Sequence, residues 1–147
     1  MIDLVKFEAN HMISLIENGV IECGIRAESN DYVRNIAKER ESEGTSMTGI
    51  EDGTILGCYG VDELWPGVGE FWAMFSPAIK DRSMEVCRLI ASEVDRMAAK
   101  FHRVQCHVRT DFFASLRMIQ FLKFEEECIC RKYTQDGSDC FQYSRVA

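Results

Sequence analysis

Only two prolines, Pro66 and Pro77, interrupt the 147 residues, and no stretch is repetitive or low in complexity. With nothing to serve as a linker, the sequence is expected to fold as one domain, residues 1–147. No apolar run reaches the ~18 residues that a membrane-spanning helix needs. Basic residues are outnumbered, 17 against 24 acidic, for a net charge of −7. Nucleic-acid backbones and anionic membranes call for a basic face, so neither is an expected partner. The opening Met1-Ile2-Asp3-Leu4-Val5-Lys6 lacks the pattern of a secretion signal. A reducing cytoplasm and free thiols are therefore expected for the seven cysteines. Cys128-x-Cys130 has no second pair at ligand spacing, so no metal site is expected.

What is present is an ordinary globular share of apolar residues, 46%, enough for a packed core. The organising stretch is 104–124. Val104, Cys106 and Val108 alternate with Gln105, His107 and Arg109, a strand pattern. Leu116, Met118, Ile119 and Leu122 then recur at helical spacing, with Thr110 or Asp111 as the cap. Before it, a strand-like run ending at Phe75 leads into a helix over 83–101, whose stripe is Val86, Leu89, Ile90, Val94, Met97 and Phe101. Strand, helix, strand makes a right-handed parallel crossover, and ligands of such units bind at the carboxyl ends of the strands.

Upstream, residues 4–8 read as a strand. Asn10 is the expected cap of a short helix carrying Met12, Ile13, Leu15 and Ile16, stopped at Asn18-Gly19. Residues 20–27 are ambiguous, with a turn of helix as one reading. Ser29-Asn30 opens a charged helix through Val33, Ile36 and Ala37 to Glu43, with Gly44 as its stop. Its run Lys38-Glu39-Arg40-Glu41 reads as a solvated face. Strands over 47–50 and 54–61 flank Glu51-Asp52-Gly53, a hairpin signal. Trp65-Pro66-Gly67 turns into a strand over 69–75, and Gly57 and Gly60 suggest a bulge or close packing. Strands over 125–133 and 140–146 close the chain about Asp136-Gly137-Ser138. The order β-α-α-β-β-β-α-β-α-β-β is a mixed α/β fold with a mostly antiparallel sheet of about seven strands and four helices.

Adjacent on a strand, Cys106 and His107 face opposite sides and cannot form a nucleophile–base couple; Cys106 reads as core. Tyr133 and Tyr143 could reach an acceptor pocket or simply be half-buried strand residues. Trp65 and Trp72 read as packing, and Arg109 and Arg117 as surface charge.

This order, with Phe71-Trp72-Ala73-Met74-Phe75-Ser76-Pro77 before one helix and Leu122-Lys123-Phe124-Glu125 ending another, resembles the GNAT acetyltransferase superfamily over essentially the whole chain. Residues 114–124, followed by Tyr133, Asp136-Gly137 and Phe141, are similar to GNAT-like proteins of short-tailed phages, a group that includes a small internal virion protein. The resemblance implies acetyl-coenzyme A (acetyl-CoA) as co-substrate in a V-shaped opening between the fourth and fifth strands, and an amine acceptor. Ala73, Met74 and Phe75 would bind the pantetheine and polarise the thioester carbonyl. Lys80, Asp81, Arg82, Ser83, Met84 and Glu85 would form the pyrophosphate loop at a helix N-terminus. Glu70, at the start of the fourth strand, would be the general base or a solvated strand-end glutamate, and Ser76 would bond the thioester region or serve as a turn residue.

The sequence also departs from the pattern. Its pyrophosphate loop has no glycine; Asp81 and Glu85 add negative charge, and Asp81 is placed to cap the helix. The asparagine position after the fifth strand is Phe112, and the tyrosine acid position is Ile119. Direct acetyl transfer to an amine is one implied function. Others are a phage accessory or virion protein with weakened coenzyme binding, and a module that binds an acyl-coenzyme A without turnover. A homodimer and contacts with other virion proteins are the partners the resemblance allows, in the host cytoplasm or virion.

Overall fold

Asp52 and Gly53, at φ 49° and 77°, turn strand β4 (Met47–Glu51) back into β5 (Thr54–Trp65), the left-handed pair that a tight hairpin requires. Gly67, at φ 88°, turns β5 into β6 (Val68–Phe75). The computed structural model describes residues 1–22, 24–26 and 30–147. Around this meander the sheet extends on both sides. β1 (Asp3–Lys6) pairs with β4, and β7 (Arg103–Arg109) joins β6 in parallel. β9 (Cys140–Val146) and β8 (Glu125–Cys130) follow antiparallel, giving the order β1-β4-β5-β6-β7-β9-β8. The helices are α1 (Ala9–Glu17), α2 (Asn30–Glu43), α3 (Ser83–Ala98) and α4 (Phe113–Phe121). The expected mixed α/β architecture of seven main strands and four helices is what the chain adopts.

β6 is apolar on both faces because it is covered on both. Phe71 and Ala73 face a core with Val86, Ile90 and Val94 of α3 and Ile119 of α4, to which Val104, Cys106 and Val108 of β7 also belong. Trp72 and Met74 face a second core with Met12 and Leu15 of α1 and Val33 and Ala37 of α2. Gly57 and Gly60 serve close packing. A Cβ at Gly57 would lie 2.7 Å from the Met74 carbonyl oxygen, and one at Gly60 would lie 2.2 Å from Ser46 Oγ. Against β4 the register passes from Gly49↔Gly57 to Ile50↔Ile55, so Leu56 of β5 is an extra residue and a bulge lies beside Gly57.

Several local expectations are corrected. Residues 20–27 hold two short strands, β2 (Ile21–Glu22) and β3 (Ile25–Arg26), with no helical turn among those described. The cap of α1 is Glu8, whose N–H donates to His11 Nδ1 at 3.1 Å, and Asn10 lies inside the helix. Ser29 lies outside the described residues. Arg40 is not solvated: it is 6% exposed, because Val33, Ala37 and Arg40 fall on one helical stripe. α3 ends at Ala98, short of Phe101. Neither Thr110 nor Asp111 caps α4; its N-cap is Phe112, and Asp111 accepts from Arg109 instead. β8 stops at Cys130, and Lys132, at φ 51°, turns the chain away. Trp65 is 59% exposed at a turn, whereas Trp72 is buried.

Candidate active site in the opening between two parallel strands

β6 and β7 stay paired only at Val68↔Arg103, Gly69↔Val104 and Glu70↔Gln105. Past that point the strands diverge, and a V-shaped gap opens toward their carboxyl ends. Its far end is bridged by the chain itself. Glu22 of β2 pairs with Met74, and the Gly24 carbonyl accepts from the Arg109 N–H at 3.2 Å. Only glycine fits there: Gly24 has φ +86°, and a Cβ would lie 2.6 Å from Val108 Cγ1. Arg40 anchors this bridge, with Glu22 at 2.7 Å, Asp62 at 3.0 Å and the Trp72 ring 3.8 Å beneath its guanidinium. Burial opposes its charge, but Glu22 and Asp62 more than compensate and hold Arg40 above its ordinary pKa.

A cavity of about 330 Å³ lies at the carboxyl end of β6, between the start of α3 and α4. Phe75, Ser76, Ser83, Val86, Ser115 and Met118 wall it, and Val20 and Gly24 close its inner side. Of the residues anticipated for coenzyme, Phe75 and Ser83 therefore reach the cavity. Ala73 and Met74 are buried within β6, and the edge of β6 at Met74 is already paired to Glu22. Ser76 borders the cavity but caps a 3-10 helix (Pro77–Arg82), its Oγ accepting from the Ala78 N–H at 3.1 Å. The anticipated open loop is thus helical. Asp81 does not cap α3; Arg82 is the N-cap, and its side chain makes no capping hydrogen bond. Lys80, Asp81, Met84 and Glu85 are exposed, outside the cavity wall.

Arg82 is spoken for. Its guanidinium is paired to Glu51, and to Glu85 at 2.9 Å. Hydrogen bonds from Arg82 hold the Glu85 carboxyl below its ordinary range. The cavity and the gap suit a pantetheine-like arm, but the surroundings of Arg82 do not suit a pyrophosphate: no glycine allows close approach, and the cation is neutralised twice. Phe112 sits against the Arg109 guanidinium at 4.6 Å and does not line the cavity. Ile119 is fully buried core.

At the apex of the gap stands Glu70. Its Oε1 lies 2.6 Å from His107 Nδ1, and its Oε2 accepts from Gln105 Nε2 at 3.1 Å. His107 is 7% exposed and stacks under Tyr133, centroids 4.2 Å apart and planes at 13°. Burial, then the Glu70 charge, pushes the Tyr133 hydroxyl up to about 12, so it stays a neutral phenol. Tyr143 faces the opposite core, its hydroxyl 3.4 Å from Gln120 Nε2. His107 was missed as a site residue. The signal was available: parallel register at Glu70↔Gln105 places residue 107 on the Glu70 face, two positions along.

No protein-family model and no curated protein matches the sequence. Solved structures do match in fold. The Escherichia coli ribosomal-protein-S18-alanine N-acetyltransferase is 13% identical with a TM-score of 0.75, over 99% of this chain and 94% of that one. The yncA protein of Salmonella typhimurium, solved with its cofactor acetyl-CoA, is 13% identical with a TM-score of 0.74, over 99% and 94%. An acetyltransferase of the GNAT family from Streptococcus pneumoniae is 10% identical with a TM-score of 0.71, over all of both chains. The chain has the GNAT fold.

Proposed function

We propose that the protein is an acetyl-CoA-dependent N-acetyltransferase working by direct attack of an amine. The carrying observation is the divergence of β6 from β7 past Glu70 and Gln105, with a carboxylate at the apex and a cavity at the open end. Acetyl-CoA would supply the acetyl group. Phe75 and Ser83 would line its arm, and the backbone of β6 around Ala73 and Met74 would meet the thioester once the Glu22 pairing yields. The amine nitrogen forms its bond to the carbonyl carbon as the C–S bond breaks; Glu70 takes the amine proton, and water protonates the departing thiolate. Glu70 is thus the proposed general base, and positioning supplies much of the rate. Ser76, engaged with Ala78, takes the turn role.

A second reading draws on Arg82, whose charge is already taken by Glu51 and Glu85. In it the fold serves as a phage accessory or virion protein with weakened coenzyme binding; an acyl-coenzyme A sensor that binds without turnover is a third reading. Thermal melting with millimolar acetyl-CoA separates the readings. A ligand at ~100 times its dissociation constant stabilises by roughly 2.7 kcal/mol, several degrees in melting temperature. A shift of that size supports the transferase or sensor; an unchanged melt removes both and leaves the accessory role.

A further inference from the structure

We infer that His107 is the positioning residue for the Glu70 carboxylate. The inference rests on the acetyl-transfer reading and adds to it a residue outside the expected set. Three adjacent strands contribute one polar chain: Glu70 from β6, His107 from β7 and Gln142 from β9, with His107↔Gln142 directly opposite in register. The ring cannot swing. Tyr133 covers its face, and Nε2 lies 3.2 Å from Gln142 Oε1. That amide is itself oriented, since its Nε2 donates to Glu127 Oε1 at 3.3 Å and its Oε1 accepts from the Cys130 thiol at 3.8 Å. Both ring nitrogens thus face oxygen acceptors, Nε2 toward Gln142 and Nδ1 toward Glu70, and the positioning role assigns Nδ1 as the donor to Glu70.

With Gln105 on the other oxygen, the carboxylate has one donor on each oxygen and a fixed plane, and each oxygen keeps a further lone pair for an incoming amine. His107 does not itself meet the substrate. Its Nδ1 is occupied by Glu70, and its Nε2 faces β9, on the side of β7 away from the gap. A histidine buried only for packing would be replaceable by phenylalanine, which fills the same space under Tyr133 and lacks both ring nitrogens.

The test compares His107→Phe and His107→Gln with the parent protein, following free-thiol release from acetyl-CoA with an N-terminal-alanine peptide and spermidine as amine probes. His107→Phe should keep the parent's melting temperature and its KM for acetyl-CoA while losing at least tenfold in kcat. His107→Gln, which retains an N–H for Glu70, should recover most of that loss. Nitrogen-15 spectra of the parent should show Nδ1 protonated, and Glu70→Gln should displace that signal. Parent turnover with an unimpaired His107→Phe variant, or an unprotonated Nδ1, would overturn the positioning role alone. No turnover by the parent would remove the acetyl-transfer reading and the role that rests on it.

Discussion

Glu70 at the start of β6 and Arg82 beyond its end are both partly covered charges, with side chains 24% and 30% exposed, and their neighbours treat them differently. Glu70 is met by donors, His107 and Gln105, that leave its oxygens further capacity to accept. Arg82 is met by two carboxylates, Glu51 and Glu85, that use its charge up. One end of the strand presents a carboxylate that can still accept; at the other the arginine's charge is already balanced. On the proposed function, proton transfer and coenzyme binding should therefore be separable in this chain, and substitutions at each end should show it.

The largest effect is expected at the proton end. Glu70→Gln keeps the size and the bonds to Gln105 but cannot accept the amine proton, and acetyl transfer should fall by about 10²-fold or more with the acetyl-CoA melting shift intact. Loss of that shift as well would mean that Glu70 supports the fold rather than the chemistry. Next in size is the bridge across the gap. Arg40→Ala strands Glu22 and Asp62 together and should cost about 3–5 kcal/mol in denaturant unfolding. An unchanged midpoint would show that the bridge is not held from α2.

At the coenzyme end, Glu51→Gln with Glu85→Gln should release Arg82 and tighten acetyl-CoA binding several-fold by calorimetry; equal affinity would mean that Arg82 is too far from the bound coenzyme to matter. The smallest effect concerns pH. Hydrogen bonds from Arg103 hold Glu127, which orients Gln142, at about 2, and those from Thr134 and Ser138 hold Asp136 at about 2. Carboxyls depressed in the folded state stabilise it above their unfolded values of 4.5 and 3.8. That contribution is lost as pH falls through the folded values. Melting temperature should thus decline between about pH 5 and pH 2, and less in Glu127→Gln than in the parent. The same decline in both would place the loss elsewhere.

Much of this architecture is legible in the sequence because its elements are periodic. The hairpin at Asp52-Gly53, the helix stripe from Val86 to Met97 and the alternating strand from Val104 to Val108 each declare themselves locally. β2 and β3 do not, since two-residue strands have no period, and the need for glycine at 24 arises only when Val108 comes against it. Arg40 was hidden by charged neighbours although its spacing from Val33 and Ala37 marked it as inward. Glu70 could be placed from its strand position alone; His107 needed one step more, the parallel register that sets Gln105 opposite Glu70 and so residue 107 on the same face. The neutralisation of Arg82 was out of reach, for Glu51 arrives from the far side of the β4–β5 hairpin.

The central claim is that the gap between β6 and β7 receives acetyl-CoA. Amide resonances followed by NMR during titration with acetyl-CoA address it directly. The account predicts saturable shifts clustered at residues 71–75 and 106–109, with the amide of Arg109 released from Gly24. Shifts absent there at millimolar acetyl-CoA, or confined to the exposed residues around Lys80, would contradict it.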